Sequence, residues 1–244
     1  MRLILSPCLL LVCLPTVVAQ SPAEVLDLSR WRLTLPIGAE GEGKPDEIRQ
    51  PELDTFSNPE YFHVTDSHGV VFRAHCGGVT TKGSSFPRSE LREMSPDGVT
   101  RADWGTEENT IHTLSMKVAI TATPAKKRHV VCAQIHDAED DLMMVRLEGE
   151  KLFVERNKIG DVMIDRHYQL GTPFELEIRA GQGHVRVSYN GEEVMDWKVA
   201  RKGCYFKAGC YTQSNPKKGD EENSFGEVVI SKLQLSDTAS EFGQ

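Results

Sequence analysis

Arg88-Ser89-Glu90-Leu91-Arg92-Glu93 sets one guanidinium two residues before a carboxylate and another two residues after it. In a strand, Arg88, Glu90 and Arg92 project from one face, while Ser89 and Leu91 project from the other. A carboxylate between two guanidiniums holds them by charge-assisted hydrogen bonds and leaves donors free to grip an external carboxylate. The same row describes a solvated sheet face with cross-strand ion pairs equally well. In Val130 to His136, Gln134 and His136 share a face and Ala133 and Ile135 turn away from it. One strand face thus carries an amide and an imidazole, although a lone strand histidine more often serves structure than catalysis. In Tyr205 to Gln213, one face reads Tyr205, Lys207, Gly209, Tyr211, Gln213 and the other Phe206, Ala208, Cys210. Gly209, lacking a side chain between Lys207 and Tyr211, leaves space for a ligand to approach the backbone.

Each segment alone is ambiguous, and they gain meaning only as neighbours in one sheet. They would then build a polar, net cationic groove suited to a chain of carboxylated sugars. Spacing does not establish that adjacency.

The elements that must position these faces are strands. Alternation of period two recurs at Trp31–Leu35, Ile111–Ile120, Met143–Leu147, Lys151–Glu155, Phe174–Ile178 and Val185–Tyr189. Asn190-Gly191 is a hairpin signal, since both positions tolerate positive φ, and Glu148-Gly149-Glu150 reads as another tight connection. Gly226 to Leu235 reads as a closing strand. Many strands, short turns and scarce helical periodicity predict an all-β, single-domain sandwich or jelly roll over residues 21–244. Two polar stretches, Gly38–Gln50 and Asn215–Asn223, read as loops, the second more readily as a solvated loop than as a lid.

Arg2, the apolar run Leu3–Leu14 and Val17-Val18-Ala19 predict an export signal over residues 1–19, too short to span a bilayer. The expected product is secreted, extracellular or periplasmic. Export would leave Cys76, Cys132, Cys204 and Cys210, enough for two disulfides in three connectivities. Their spacing lacks the paired C-x-x-C of a zinc site. The net charge of −8 argues against general nucleic-acid binding, though not against an anionic sugar polymer held in a locally cationic cleft.

At the three segments the sequence resembles the alginate lyases of polysaccharide lyase family 7. Arg88-Ser89-Glu90-Leu91-Arg92, Gln134-Ile135-His136 and Tyr205-Phe206-Lys207-Ala208-Gly209-Cys210-Tyr211-Thr212-Gln213 stand in the order of that family's three marker motifs. Similar surroundings occur at Trp31–Pro36, Lys44–Ile48 and Gly77–Thr81. The resemblance implies a β-jelly roll with a concave sheet that binds alginate, a polymer of mannuronate and guluronate. It assigns Arg88, Gln134, His136 and Tyr211 as catalytic, and Glu90, Arg92, Lys207 and Gln213 as substrate-binding or positioning groups. No metal or other cofactor, nucleic acid or membrane is implied, and the expected working unit is a monomer. Phe86 stands where relatives often carry Tyr, and Thr212 where they often carry Asn. Within the family Ile at position 135 is associated with guluronate-containing blocks.

The implied reaction is β-elimination. Removing H5 of a uronate adds charge to a neighbour that is already anionic, so donors from Arg88, Gln134 and His136 would stabilise the enolate-like species. Tyr211 would protonate the departing O4, with either Tyr211 or His136 as base according to sugar stereochemistry. A free phenol titrates near pH 10, so a basic Tyr211 needs cationic neighbours. Two rivals remain: a non-catalytic carbohydrate-binding jelly roll, and a glycoside hydrolase. The latter ordinarily needs two carboxyls, and Glu90 is the only acid on the three polar faces.

Overall fold

The computed structural model describes residues 20–39 and 43–239. The expected export signal therefore lies outside the described residues. The strands are β1 (Trp31–Thr34), β2 (Glu47–Ile48), β3 (Phe62–Val64), β4 (Val70–His75), β5 (Arg88–Glu93), β6 (Thr110–Ala122) and β7 (His129–His136). They continue with β8 (Asp141–Glu148), β9 (Lys151–Arg156), β10 (Val162–Asp165), β11 (Phe174–Gly181), β12 (His184–Tyr189), β13 (Glu192–Lys198), β14 (Tyr205–Thr212) and β15 (Phe225–Ala239). Short 3-10 turns at Pro22–Glu24, Glu52–Asp54 and Pro216–Lys218 accompany them. The last falls within the expected Asn215–Asn223 loop, and β2 lies within the expected Gly38–Gln50 loop.

Two antiparallel sheets stack as a β-jelly roll. One runs β10-β9-β8-β7-β14-β5-β1-β2 and the other β13-β12-β11-β6-β15-β4-β3. Their facing sides bury Trp31, Leu91, Ala133, Ile135 and Phe206 from the first sheet against Phe62, Phe72, Ile120 and Val228 from the second. Each large apolar side chain so buried contributes about 1.5–3 kcal/mol, which fixes which face of every strand points inward. The hairpin signal holds: Asn190 and Gly191 take φ of 50° and 84° between β12 and β13, and Gly149 takes 64° between β8 and β9.

One acid turns inward. Glu93, at the end of β5, is buried and accepts from the Trp104 indole Nε1 at 2.9 Å and from the Phe206 backbone N at 2.8 Å. Arg30 sits 3.3 Å from its other oxygen. Burial raises the Glu93 pKa, and these donors hold it back. The carboxylate thereby ties β5 to β14 beneath the functional face.

The expected disulfides are not found. Cys76, Cys132, Cys204 and Cys210 are all free and buried. Burial pushes the thiols of Cys132, Cys204 and Cys210 up to about 12 and that of Cys76 to about 11, so they behave as small apolar groups. Strand geometry accounts for Cys132. Alternation puts it on the polar face with Gln134, but the β7–β8 register slips between Val131 and Ala133. This bulge drops Cys132 into the core beside Ala133.

Candidate active site

Strands β7, β14 and β5 are adjacent, the juxtaposition that spacing alone leaves open. Their register sets Tyr205 opposite His136, Lys207 between Gln134 and Arg92, Gly209 opposite Glu90, and Tyr211 opposite Arg88. The three polar faces are one face, on the side of the sheet away from the core.

Glu90 is its anchor. One carboxylate oxygen accepts from the Gln134 amide Nε2. The other accepts from Arg88 Nη1 at 2.8 Å and from Lys207 Nζ at 2.5 Å. The expectation of Glu90 between two guanidiniums is therefore corrected: its cations are Arg88 and Lys207. Arg92 lies outward on the same face, set by the register between Lys207 and Arg32, but it turns with Arg32 to Glu47, at 4.0 and 3.1 Å, and lies 6.0 Å from the Tyr205 ring. Burial opposes ionisation of Glu90, but Lys207, Arg88 and the amide outweigh it and hold the carboxyl well below its usual range. Burial and the Arg88 charge press Lys207 downward, and Glu90 opposes them.

Glu90 thus fixes three donors and keeps some of their capacity in reserve. Arg88 has a second terminal nitrogen, and the Gln134 amide keeps a second N–H. Lys207 is buried and committed to Glu90, a positioning group rather than an open cleft cation. Gln213 falls one residue past β14, where its buried amide donates to Met144 Sδ at 3.6 Å.

His136 ends β7. Its Nδ1 donates to the Asp137 carbonyl at 2.7 Å, since a carbonyl only accepts. That contact selects the tautomer whose Nε2 carries a lone pair. Burial lowers its pKa and the Lys207 and Arg88 charges add to this, against the Asp137 carbonyl and Glu90. The ring is neutral at pH 7. It stacks on Tyr205 at 5.4 Å between centroids, and the Arg101 guanidinium lies 4.7 Å from the Tyr205 ring.

The Arg88 guanidinium lies 3.9 Å from the Tyr211 ring centroid, and the phenol oxygen is 3.0 Å from Ser84 Oγ. Phe86 tilts against the same ring at 6.3 Å, with Lys127 Nζ 5.0 Å from the Phe86 ring. Tyr211 stands six residues along β14 from the position opposite His136, roughly 20 Å of strand. A register slip between Ala208 and Tyr211 takes one residue out of that span on the β7 side. Arg88 links the two ends, since its charge bears on His136 while its guanidinium covers the phenol.

Gly209 answers to a different demand from the one read in the sequence. Its φ is 136°, and a Cβ there would meet Ser89 O at 2.6 Å, Glu90 Cα at 2.9 Å and Phe72 at 3.0 Å. The glycine is required by close packing on β5 and toward the core, at the register slip. The sequence reading also missed Ser84, the Asp137 carbonyl and Arg101. Ser84 sits in a loop with no periodicity, while Asp137 directly follows His136 and gives no side-chain signal.

The alginate lyase family model matches residues 26–237. An alginate lyase of Klebsiella pneumoniae is 31% identical over 157 residues, which are 54% of this chain and 50% of that protein. The chain thus spans about half the length of the curated relative it matches. Among solved structures, alginate lyase AlgAT5 from polysaccharide lyase family 7 is 47% identical, with a TM-score of 0.86 over 90% of this chain and 100% of that one. The alginate lyase from Corynebacterium sp. is 40% identical, with a TM-score of 0.85 over 90% and 99% of the two chains. With its two sheets, its outward Arg–Glu–Gln–His–Tyr face and a match across nearly all of its described length, the chain belongs to the alginate lyase family.

Proposed function

We propose that this chain is a secreted lyase of polysaccharide lyase family 7 that cleaves the 1,4-glycosidic bonds of alginate by β-elimination. Its products carry 4,5-unsaturated uronate ends, and it favours guluronate-containing blocks. The observation that carries this reading is the buried Glu90, which aims Arg88 and Gln134 onto one face with a neutral His136 and Tyr211.

In this reading a uronate carboxylate takes the remaining donors of Arg88 and Gln134, which stabilise the charge gathering at C5. For guluronate, His136 Nε2 removes H5. The C5–H pair becomes the C4–C5 double bond, and the C4–O4 bond breaks with its electrons on O4. Tyr211 supplies the proton for O4, leaving a phenolate and an imidazolium, and solvent carries a proton from one to the other. For mannuronate, H5 and O4 lie on the same side, so one tyrosine, entering as the phenolate, takes H5 and returns that proton to O4. No metal is needed for these proton transfers, and the working unit is a monomer.

Incubation with separate guluronate and mannuronate polymers, followed by ultraviolet absorbance and product sizing, tests the reaction and the preference together. Absorbance from the conjugated uronate is expected to rise faster on guluronate. Binding without new absorbance would indicate the carbohydrate-binding reading, and reducing ends without absorbance would indicate hydrolysis. His136→Ala is expected to reduce guluronate cleavage at least about tenfold more than mannuronate cleavage. Equal losses on the two polymers would reject His136 as the epimer-selective base.

A further inference from the structure

We propose that Ser84 is a positioning residue for the elimination, binding the Tyr211 hydroxyl in both its protonated and deprotonated states. The inference rests on the role of Tyr211 given above. Ser84 lies in the segment between β4 and β5, and its Oγ is 3.0 Å from the phenol oxygen. Its place is set independently of Tyr211. The Ser84 backbone N donates to Thr81 O at 3.0 Å, and the Asn215 amide donates to Ser85 O at 2.8 Å. The Phe86 backbone N donates to Ser84 Oγ at 3.1 Å, and that oxygen is 3.2 Å from Phe86 O.

A serine hydroxyl has one proton and two lone pairs. With the phenol protonated, Tyr211 donates to Ser84 Oγ, which donates onward to the Phe86 carbonyl. When substrate binds, the phenol O–H turns from Ser84 to O4, and as its proton passes to O4 the Ser84 hydrogen rotates from the Phe86 carbonyl to the phenolate. No heavy atom moves, and Phe86 N keeps its acceptor throughout. A hydrogen bond to an anion is stronger than one between neutral groups, so this contact tightens as the phenolate forms. Its benefit therefore falls on the chemical step rather than on substrate binding.

The charged groups around the phenol are Arg88 on β5 and Lys127, which reaches Phe86 from the β6–β7 connection. His129 and Arg146, 2.9 Å apart, lie on β7 and β8 toward the same end of the face. Arg88 and Lys127 lie nearby, but neither supplies the hydroxyl's direct hydrogen bond.

Ser84→Ala is expected to lower kcat on alginate roughly 10- to 100-fold with KM changed less than about twofold. Ser84→Thr, which keeps the hydroxyl, should restore most of kcat. Unchanged kcat in Ser84→Ala, with Tyr211→Phe inactive, would overturn the inference while leaving the reaction intact. A lowered melting temperature without a kcat effect would overturn it equally. Full activity in Tyr211→Phe would instead remove the premise.

Discussion

Tyr211→Phe is expected to lower turnover about 1000-fold while the protein still binds alginate and melts close to the wild-type temperature. The substitution removes one oxygen and leaves the ring. The ring carries the contacts with Arg88 at 3.9 Å and Phe86 at 6.3 Å, so the local packing survives. Among the described residues the hydroxyl's one hydrogen-bond partner is Ser84, and losing a single such hydrogen bond costs about 1 kcal/mol of stability. Proton transfer to a leaving oxygen by a positioned acid is typically worth about 10²–10⁴ in rate, so the chemical step should bear nearly the whole loss. Steady-state kinetics by ultraviolet absorbance, with polymer binding and thermal melting measured in parallel, check this. More than about a tenth of wild-type turnover would reject Tyr211 as the acid.

Glu90→Gln should strike stability and activity together. The carboxylate is 1% exposed and accepts from Arg88, Lys207 and Gln134. An amide in its place leaves two cations facing each other without a counter-charge. Breaking a buried pair in this way costs about 3–5 kcal/mol, which at about 2–4 °C per kcal/mol for a chain of this size lowers Tm by roughly 10 °C. The sign of the pH dependence follows from the depressed carboxyl. Its folded pKa lies below the unfolded value of about 4.3, so its stabilisation is full above that value and is lost as pH falls through the folded pKa. The Tm gap between wild type and variant should therefore be constant near neutrality and narrow on strong acidification. Cleavage should fall as well, since Arg88 and Gln134 lose the group that aims them. A variant melting within 2 °C of wild type, by the same scale, would show that the cluster is not the anchor.

How far the sequence reached differs from residue to residue. The outward placement of Arg88, Glu90, Arg92, Gln134 and His136 was legible because side-chain direction in a strand repeats every two residues. The pairing of Glu90 with Lys207 was not legible, since it crosses from β5 to β14, over a hundred residues away in sequence. The register slips were equally hidden. They turn Cys132 inward and make Gly209 obligatory at its close approach to β5, and no local pattern announces them. The cysteine count and the expected export suggested bridges, whereas packing leaves all four thiols free.

Taken alone, the amino-acid sequence determined the strand content, the inward and outward faces, the Asn190-Gly191 turn and the family. All of these rest on local conformation or on runs of matching residues. Only the tertiary structure decided that β7, β14 and β5 lie side by side, that Glu90 gathers Arg88, Lys207 and Gln134, and that Ser84 meets Tyr211. Those contacts arise when two sheets bury their apolar faces against each other, and that burial brings together chain segments whose separation in sequence carries no record of their distance in space.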